Sequence, residues 1–140
     1  MRRTFLVALA SLVLTACQNT QLKPNASWGR SDIYERSAVS GSTIRVDGFY
    51  NLDISCKNIG YAKLRVASPA SGGIVFSKQE TSFPSYDRDN SRFKCNQRRA
   101  STLGVYYASA PQFKGADTMD IEIYWTDGDV WKYKLNVTVR

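Results

Sequence analysis

Three cysteines are the residues of this sequence best suited to covalent chemistry, and the chain contains no histidine. Cys17 lies near the start, whereas Cys56 and Cys95 lie far along the chain. Without histidine, Ser–His and Cys–His nucleophilic pairs and histidine-ligated metals are excluded. Two further cysteines alone make a poor zinc site. The sequence therefore predicts a protein that is not an enzyme and has no metal or other cofactor.

The segment before Cys17 has the three parts of a secretory signal. Met1-Arg2-Arg3 is positively charged, an apolar run from Phe5 to Leu14 is interrupted only by Ser11, and small residues lead to the cysteine. The run is too short to span a bilayer, which needs about 20 residues.

The sequence Leu14-Thr15-Ala16-Cys17 resembles the lipobox of bacterial lipoproteins. The resemblance implies cleavage of a 1–16 signal peptide, a diacylglyceryl thioether on Cys17 and fatty acylation of the new amino group. Several acyl chains anchor a protein stably, because each buried CH₂ contributes roughly 0.8 kcal/mol. In a Gram-negative host, Gln18 in place of the Asp that retains lipoproteins implies the outer membrane. Whether the protein would face the periplasm or the outside stays open.

Cys56 and Cys95 remain as a pair and are predicted to form a disulfide, since exported compartments are oxidising. The bridge would close a loop of about 40 residues and stabilise the fold by roughly 4 kcal/mol in the chain-entropy treatment. Two buried free thiols are the alternative.

Positive charge is concentrated in one segment of the predicted mature chain. Removing Arg2 and Arg3 with the signal leaves 17 of the 19 basic residues against 12 acidic ones, a net charge of +5. Residues 88–99 hold one acid, Asp89, and five cations: Arg88, Arg92, Lys94, Arg98 and Arg99. We interpret this segment as a site for lipopolysaccharide phosphates, peptidoglycan carboxylates or an acidic protein. The alternative is a solvated strand and loop. The expected compartment makes nucleic acid an improbable partner.

Carboxylates near the C-terminus could serve as an acid–base pair or a calcium site. Asp120 and Glu122 alternate outward beside lysines, which is typical of a solvated face. Asp127 and Asp129 flank Gly128 without a D-x-D-x-D-G loop, which favours a turn over calcium, and calcium binding there stays open. Asp117 is the remaining carboxylate of this C-terminal group.

Two outward tyrosines, Tyr106 and Tyr124, are predicted to form an aromatic patch for sugar or protein. Ordinary cross-strand packing is the alternative.

The elements that would position these residues are strands. Residues 17–42 are polar and read as a lipidated N-terminus with a flexible tether, with Ile33-Tyr34 as a possible edge strand. From Thr43 apolar and polar residues alternate, which indicates half-buried strands. The strands are predicted at 62–66, from 74, and at 92–95, 103–107, 119–126 and 131–139, with a long loop at 81–90.

The last two strands allow a register prediction, because only residues on the same face oppose each other in an antiparallel pair. Residue numbers summing to 256 set Trp125 opposite Trp131 and Glu122 opposite Lys134. This register rejects a two-residue Asp127-Gly128 turn in favour of a loop of three to five residues centred on Gly128.

The run from Leu103 to Gly128 resembles the C-terminal half of bacterial immunoglobulin-like and cadherin-like repeats. The shared positions are Gly104, Tyr107, Pro111, Phe113, Gly115, Asp117 and Asp127-Gly128. The resemblance implies a β-sandwich with a binding or spacer role.

The sequence thus predicts an all-β, antiparallel, immunoglobulin-like sandwich of about seven strands at 43–140. The expected function is a non-enzymatic envelope module that binds a protein partner or an envelope polymer or has a structural role. A lipidated inhibitor of a host hydrolase is the alternative function.

Overall fold

A computed structural model describes residues 31–140, which form seven strands and one short 3₁₀ helix. The strands are β1 (Ser31–Ala38), β2 (Thr43–Phe49), β3 (Lys63–Ser68), β4 (Gly73–Ser82), β5 (Ala100–Ser109), β6 (Gly115–Tyr124) and β7 (Val130–Val139). The 3₁₀ helix spans Phe93–Gln97. The strand predicted at 92–95 is therefore wrong: Asn90 and Arg92 accept the backbone N–H bonds of tight turns there, and no neighbouring strand pairs with them.

The strands form two facing sheets, in the orders β1-β7-β6-β3 and β2-β5-β4. The protein is an all-β sandwich of immunoglobulin-like type with one disulfide, as predicted. One pair departs from the antiparallel expectation. β1 runs parallel to β7, with Ser31 opposite Lys132 and Ala38 opposite Val139.

β1 also corrects the predicted tether. Residues 31–38 form a strand, so the domain does not begin at 43 and the tether does not run through 42. The expected edge strand at Ile33-Tyr34 is confirmed. The phenol of Tyr34 donates a hydrogen bond to Asp47, and the Arg36 guanidinium donates to the carbonyl oxygen of Val46. Both bonds reach from β1 across to β2 and so join the two sheets at this edge.

The core lies between the inner faces of β5, β6 and β7. Alternate residues are buried as the sequence pattern predicts, including Val105, Tyr107, Ile121, Ile123 and Leu135 at 0% exposure. Burying large aliphatic and aromatic side chains contributes about 1.5–3 kcal/mol each, which fixes the faces of the strands.

A buried carboxylate closes the core at one end of the sandwich. Asp117 is 2% exposed and accepts hydrogen bonds from the Ser71 backbone and hydroxyl, the Gly72 backbone and the Tyr107 phenol, all at 2.9 Å. Burial would raise the pKa of Asp117, but these bonds outweigh it and hold the pKa below its ordinary value. Asp117 therefore ties the β3–β4 turn to β5 and β6.

The register of the β6–β7 hairpin differs from the prediction. Ile123 lies opposite Trp131, and Glu122 lies opposite Lys132, so paired residue numbers sum to 254 and not to 256. The faces are those predicted, because both sums are even. The turn decides the register: Trp125 N–H bonds to the Asp129 carbonyl at 2.8 Å, and Gly128 has φ 97°. A three-residue connection with glycine in the left-handed region is a standard hairpin turn. The predicted loop length is thus confirmed, but the loop is centred on Asp127 and not on Gly128.

Candidate functional site

Three loops meet at the end of the sandwich opposite Asp117, and we call this end the loop end. They are residues 50–62, 83–99 and 125–129. The side-chain amide of Asn51 donates to the hydroxyl of Thr126 at 2.7 Å, which joins the first loop to the third. The parallel pairing of β1 with β7 also places Ser31 beside Lys132, at this same end.

The disulfide predicted between Cys56 and Cys95 is confirmed and joins the first two loops. Its Cα atoms are 5.4 Å apart, and Cys95 is fully buried. Cys56 has φ 67°, an unusual conformation for a residue with a side chain. The Cys56 N–H donates to the carbonyl oxygen of Asp53, whose carboxylate also accepts from Ser55 and Lys57. The bridge and this turn hold the 3₁₀ helix in place.

The five predicted cations lie on the second loop, and we call them the cationic ridge: Arg88, Arg92, Lys94, Arg98 and Arg99. Three of them are held by backbone carbonyl oxygens. Arg92 donates to Leu52, Arg98 to Ser55 at 2.9 Å and Arg99 to Thr81 at 2.6 Å. Carbonyl oxygens orient a guanidinium without cancelling its charge. These three arginines therefore present positive charge at fixed positions, and Arg88 and Lys94 add exposed charge beside them.

Beside the ridge lies a cleft that the sequence analysis did not anticipate, and we call it the aromatic cleft. It consists of two adjoining cavities of about 190 Å³ and 200 Å³. Both are lined by Tyr50, Tyr86, Trp125 and Trp131, all of which are partly exposed. Trp125 and Trp131 continue the inner faces of β6 and β7 to the point where the two sheets end. The core is therefore open to solvent there.

A row of aromatic contacts forms the floor of the cleft. The rings of Trp125 and Trp131 meet edge to face at 4.8 Å, and Phe49 contacts Trp125 at 6.2 Å and Tyr133 at 5.4 Å between centroids. Tyr34 continues the row at 5.1 Å from Tyr133. Such pairs add about 0.5–1.5 kcal/mol each beyond burial, so the floor is rigid.

The walls of the cleft carry polar groups of both signs. Arg92, Asp127 and Asp129 line one cavity, together with the amides of Asn51 and Asn90. The phenol of Tyr86 donates to the carbonyl oxygen of Tyr50, and the phenol of Tyr50 donates to that of Phe83. These bonds fix the two tyrosine rings on the wall. The cleft can therefore combine ring stacking with several oriented hydrogen bonds.

Tyr106 and Tyr124 do not form one aromatic patch, and that prediction is wrong. Tyr106 is on β5 and Tyr124 on β6, which belong to different sheets. Tyr106 stacks on Phe76 at 5.5 Å and donates to Glu80. Tyr124 donates to Glu122 at 2.7 Å. Tyr106 packs against its cross-strand neighbour, as the alternative interpretation holds, and Tyr124 makes hydrogen bonds within its own sheet.

The carboxylates near the C-terminus do not form a shared site. Asp120 pairs with Lys134 at 2.8 Å and Glu122 with Arg65 at 2.9 Å, both on the outer face. Asp127 accepts the N–H of Asp129 within the hairpin turn. In residues 31–140, no group of three or more potential metal-ligating acids or cysteines is close enough to hold an ion.

Exposed apolar side chains also occur at the loop end. Ile54 and Ile59 lie in the first loop, and Phe83 and Phe93 in the second, with 42–64% of their surface exposed. None of the described residues belongs to a helix long and apolar enough to cross a membrane. Cys17 lies outside the described residues.

Comparison with known proteins finds no match to any family and none to a curated protein. Among solved structures, the solution structure of Amebosin matches 80% of this chain and 100% of its own, with a TM-score of 0.39 and 9% identity. A 2,6-sialyltransferase from Photobacterium sp. JT-ISH-224 has a TM-score of 0.32 at 9% identity, and 18% of that chain is covered.

Proposed function

We propose that this protein is a lipid-anchored module of the bacterial cell envelope that binds an acidic envelope polymer, without catalysis, through its loop end. The lipobox supports the anchor, and the cationic ridge supports the acidic partner. Lipopolysaccharide phosphates and peptidoglycan carboxylates are the acidic groups that the proposed compartment offers. In this proposal the outer membrane carries the anchor.

The observation that carries the proposal is the way the ridge is held. Surface arginines ordinarily lose side-chain entropy when they bind, which reduces the net gain from each ion pair. Here Arg92, Arg98 and Arg99 are already bonded to carbonyl oxygens, and the disulfide holds the helix that bears Lys94. Fixed cations lose less entropy on binding and favour a repeating anionic partner.

We expect reversal of two ridge charges to weaken polymer binding about 5- to 20-fold, because a rim charge acts mainly on the rate of association. The variant is Arg88→Glu with Lys94→Glu, since both side chains are exposed and the bonds of Arg98 and Arg99 stay intact. Binding to lipopolysaccharide vesicles and to soluble peptidoglycan is measured by surface plasmon resonance across a salt series.

The matched control is Lys114→Glu with Arg140→Glu, which changes the net charge equally at the opposite end of the sandwich. It should bind within about twofold of the parent, because charges beyond about 8 Å are screened at physiological salt. The proposal fails if the parent binds neither polymer at about 150 mM salt. It also fails if the ridge and control variants weaken binding equally.

Replacing the proposed lipid-bearing residue, Cys17→Ser, should move the protein out of the membrane fraction or leave it unprocessed. Several acyl chains give stable anchoring that the signal peptide alone does not replace. Labelled palmitate incorporation and membrane fractionation measure the effect, with Cys56→Ser as the control that keeps the lipobox. A Cys17→Ser protein that still incorporates palmitate and sediments fully with membranes contradicts the assignment.

A further inference from the structure

The aromatic cleft adjoins the cationic ridge and shares Arg92 with it. Each of its two cavities is smaller than the roughly 300–1,000 Å³ of sites for drug-sized molecules, so each suits one ring-sized group. Two adjoining cavities of similar size along one row of aromatic rings suit two consecutive units of a chain molecule.

The ring-lined floor selects a flat, partly apolar face. A pyranose ring presents axial C–H groups on one face, and these pack on the electron-rich face of an indole or phenol. Trp125, Trp131, Tyr50 and Tyr86 line both cavities, so each unit would meet several such rings. Aromatic surface of this kind at a wet site is typical of ligands that are apolar on one side and polar at the edge.

The walls select a ligand with many hydroxyl groups. Asp127 and Asp129 can only accept hydrogen bonds, whereas Arg92 can only donate them, and the amides of Asn51 and Asn90 do both. A hydroxyl both donates and accepts, so a sugar satisfies all of these groups at once. A simple cation would meet the positive charge of Arg92, and a simple anion would meet two carboxylates.

Trp125 adds an independent observation. Its indole N–H is buried, and no acceptor for it is present within residues 31–140. A quaternary ammonium group, the other usual occupant of an aromatic cage, has no acceptor to offer this donor. A sugar oxygen, or a water that a sugar holds in place, can accept this bond after a small movement of the indole ring, because the N–H has no exposed surface in this structure.

We propose that the aromatic cleft is a glycan-binding site that takes two consecutive sugar units of the polymer held by the ridge. This inference rests on the proposed function for the identity of the polymer. The cleft binds the sugar rings through stacking and through hydrogen bonds to their uncharged hydroxyls, whereas the ridge binds the negative charge of the polymer. Binding of an uncharged sugar in the cleft is therefore nearly insensitive to salt.

The test uses a domain of residues 31–140, which contains all seven strands and the disulfide. Trp28 is absent from it, so Trp125 and Trp131 are its two tryptophans and their fluorescence reports on the cleft directly. The probes are uncharged tetrasaccharides of N-acetylglucosamine and of glucose, with tetramethylammonium chloride as the cation probe. We expect at least one tetrasaccharide to shift the fluorescence saturably at low and high salt, and tetramethylammonium to have no effect.

Trp131→Ala should weaken tetrasaccharide binding about tenfold or more, the loss of roughly one stacked ring. Asp127→Ala, on the exposed turn, tests the wall and should weaken binding several-fold if Trp131→Ala fails to fold. Trp131→Phe keeps a ring and should retain binding within a few-fold. Asp120→Ala on the same hairpin is the control and should bind like the parent.

Two results overturn the inference. The first is a saturable response to tetramethylammonium with none to either sugar, which identifies a cation cage. The second is no response to either sugar in a domain that still binds polymer through the ridge, which leaves the proposed function standing. If instead the sugars bind in the cleft while reversal of Arg88 and Lys94 has no effect on polymer binding, the glycan site stands and the ridge proposal fails.

Discussion

Asp117→Ala is expected to lower the free energy of unfolding by about 3–5 kcal/mol, because it leaves buried donors without an acceptor. The carboxylate accepts from the Ser71 and Gly72 backbone and from the phenol of Tyr107, which is fully buried. Burial and the bond to Asp117 raise the pKa of Tyr107 to about 12, so the phenol stays protonated as the donor of this bond. Urea denaturation of the 31–140 domain measures the loss.

Asp120→Ala is the matched control, three residues along the same strand. Its ion pair with Lys134 is about half exposed, so the change should cost no more than about 1 kcal/mol. Equal losses in the two variants would contradict the role given to Asp117.

Asp117 also limits the stability of the folded protein at acid pH. The pKa of Asp117 is lowered in the folded protein, so its contribution is fully present above the unfolded value of about 3.9. It is lost as the pH falls through the folded value. Asp117→Asn removes this titration, and its stability should therefore fall less steeply than that of the parent below about pH 4.

Removal of the disulfide, Cys56→Ala with Cys95→Ala, should cost about 2–5 kcal/mol, because the bridge closes a long loop of the unfolded chain. The sequence separation is 39 residues, and Cys95 is fully buried at the loop end. Chemical denaturation with and without dithiothreitol provides the measurement. The reductant should bring the parent down to the double variant and leave the double variant unchanged.

A loss under about 1 kcal/mol would contradict this expectation. Binding through the ridge gives a second readout, since the bridge holds the helix that bears Lys94. The double variant should also bind polymer more weakly at a temperature where it is still folded, and the Lys114→Glu, Arg140→Glu control should not.

The hairpin shows which parts of the fold the sequence could predict. The alternation of apolar and polar residues assigns the inner faces of β6 and β7 correctly, because the free energy of burying Ile121, Ile123 and Leu135 outweighs the other contributions to strand orientation. It cannot separate registers that differ by two residues, since both keep the same face inward. The choice depends on the turn, where Gly128 at positive φ permits a three-residue connection. Asp120 then pairs with Lys134, a pair the predicted register does not contain.

The site was predictable only in part. Counting charges identifies the cationic ridge, because its residues are neighbours in the sequence. Counting cysteines identifies the disulfide, because only Cys56 and Cys95 remain once Cys17 is assigned to the lipid. The aromatic cleft depends on how far each sheet extends. Trp125 and Trp131 have the alternation of core residues, and only the end of the sandwich exposes them. Two inward tryptophans that flank an Asp-Gly-Asp turn, one at the end of β6 and one at the start of β7, are the signal that could have indicated it.

The parallel pairing of β1 with β7 has a consequence for how far the protein can reach. Ser31 lies at the loop end, and the chain between it and Cys17 spans at most about 50 Å, since a residue extends no more than about 3.6 Å. A domain lipidated at Cys17 would therefore search a thin layer above its own leaflet with its binding end on the tethered side. Ligands embedded in that leaflet would be met at an effective concentration near millimolar, whereas ligands deeper in the envelope would be out of range.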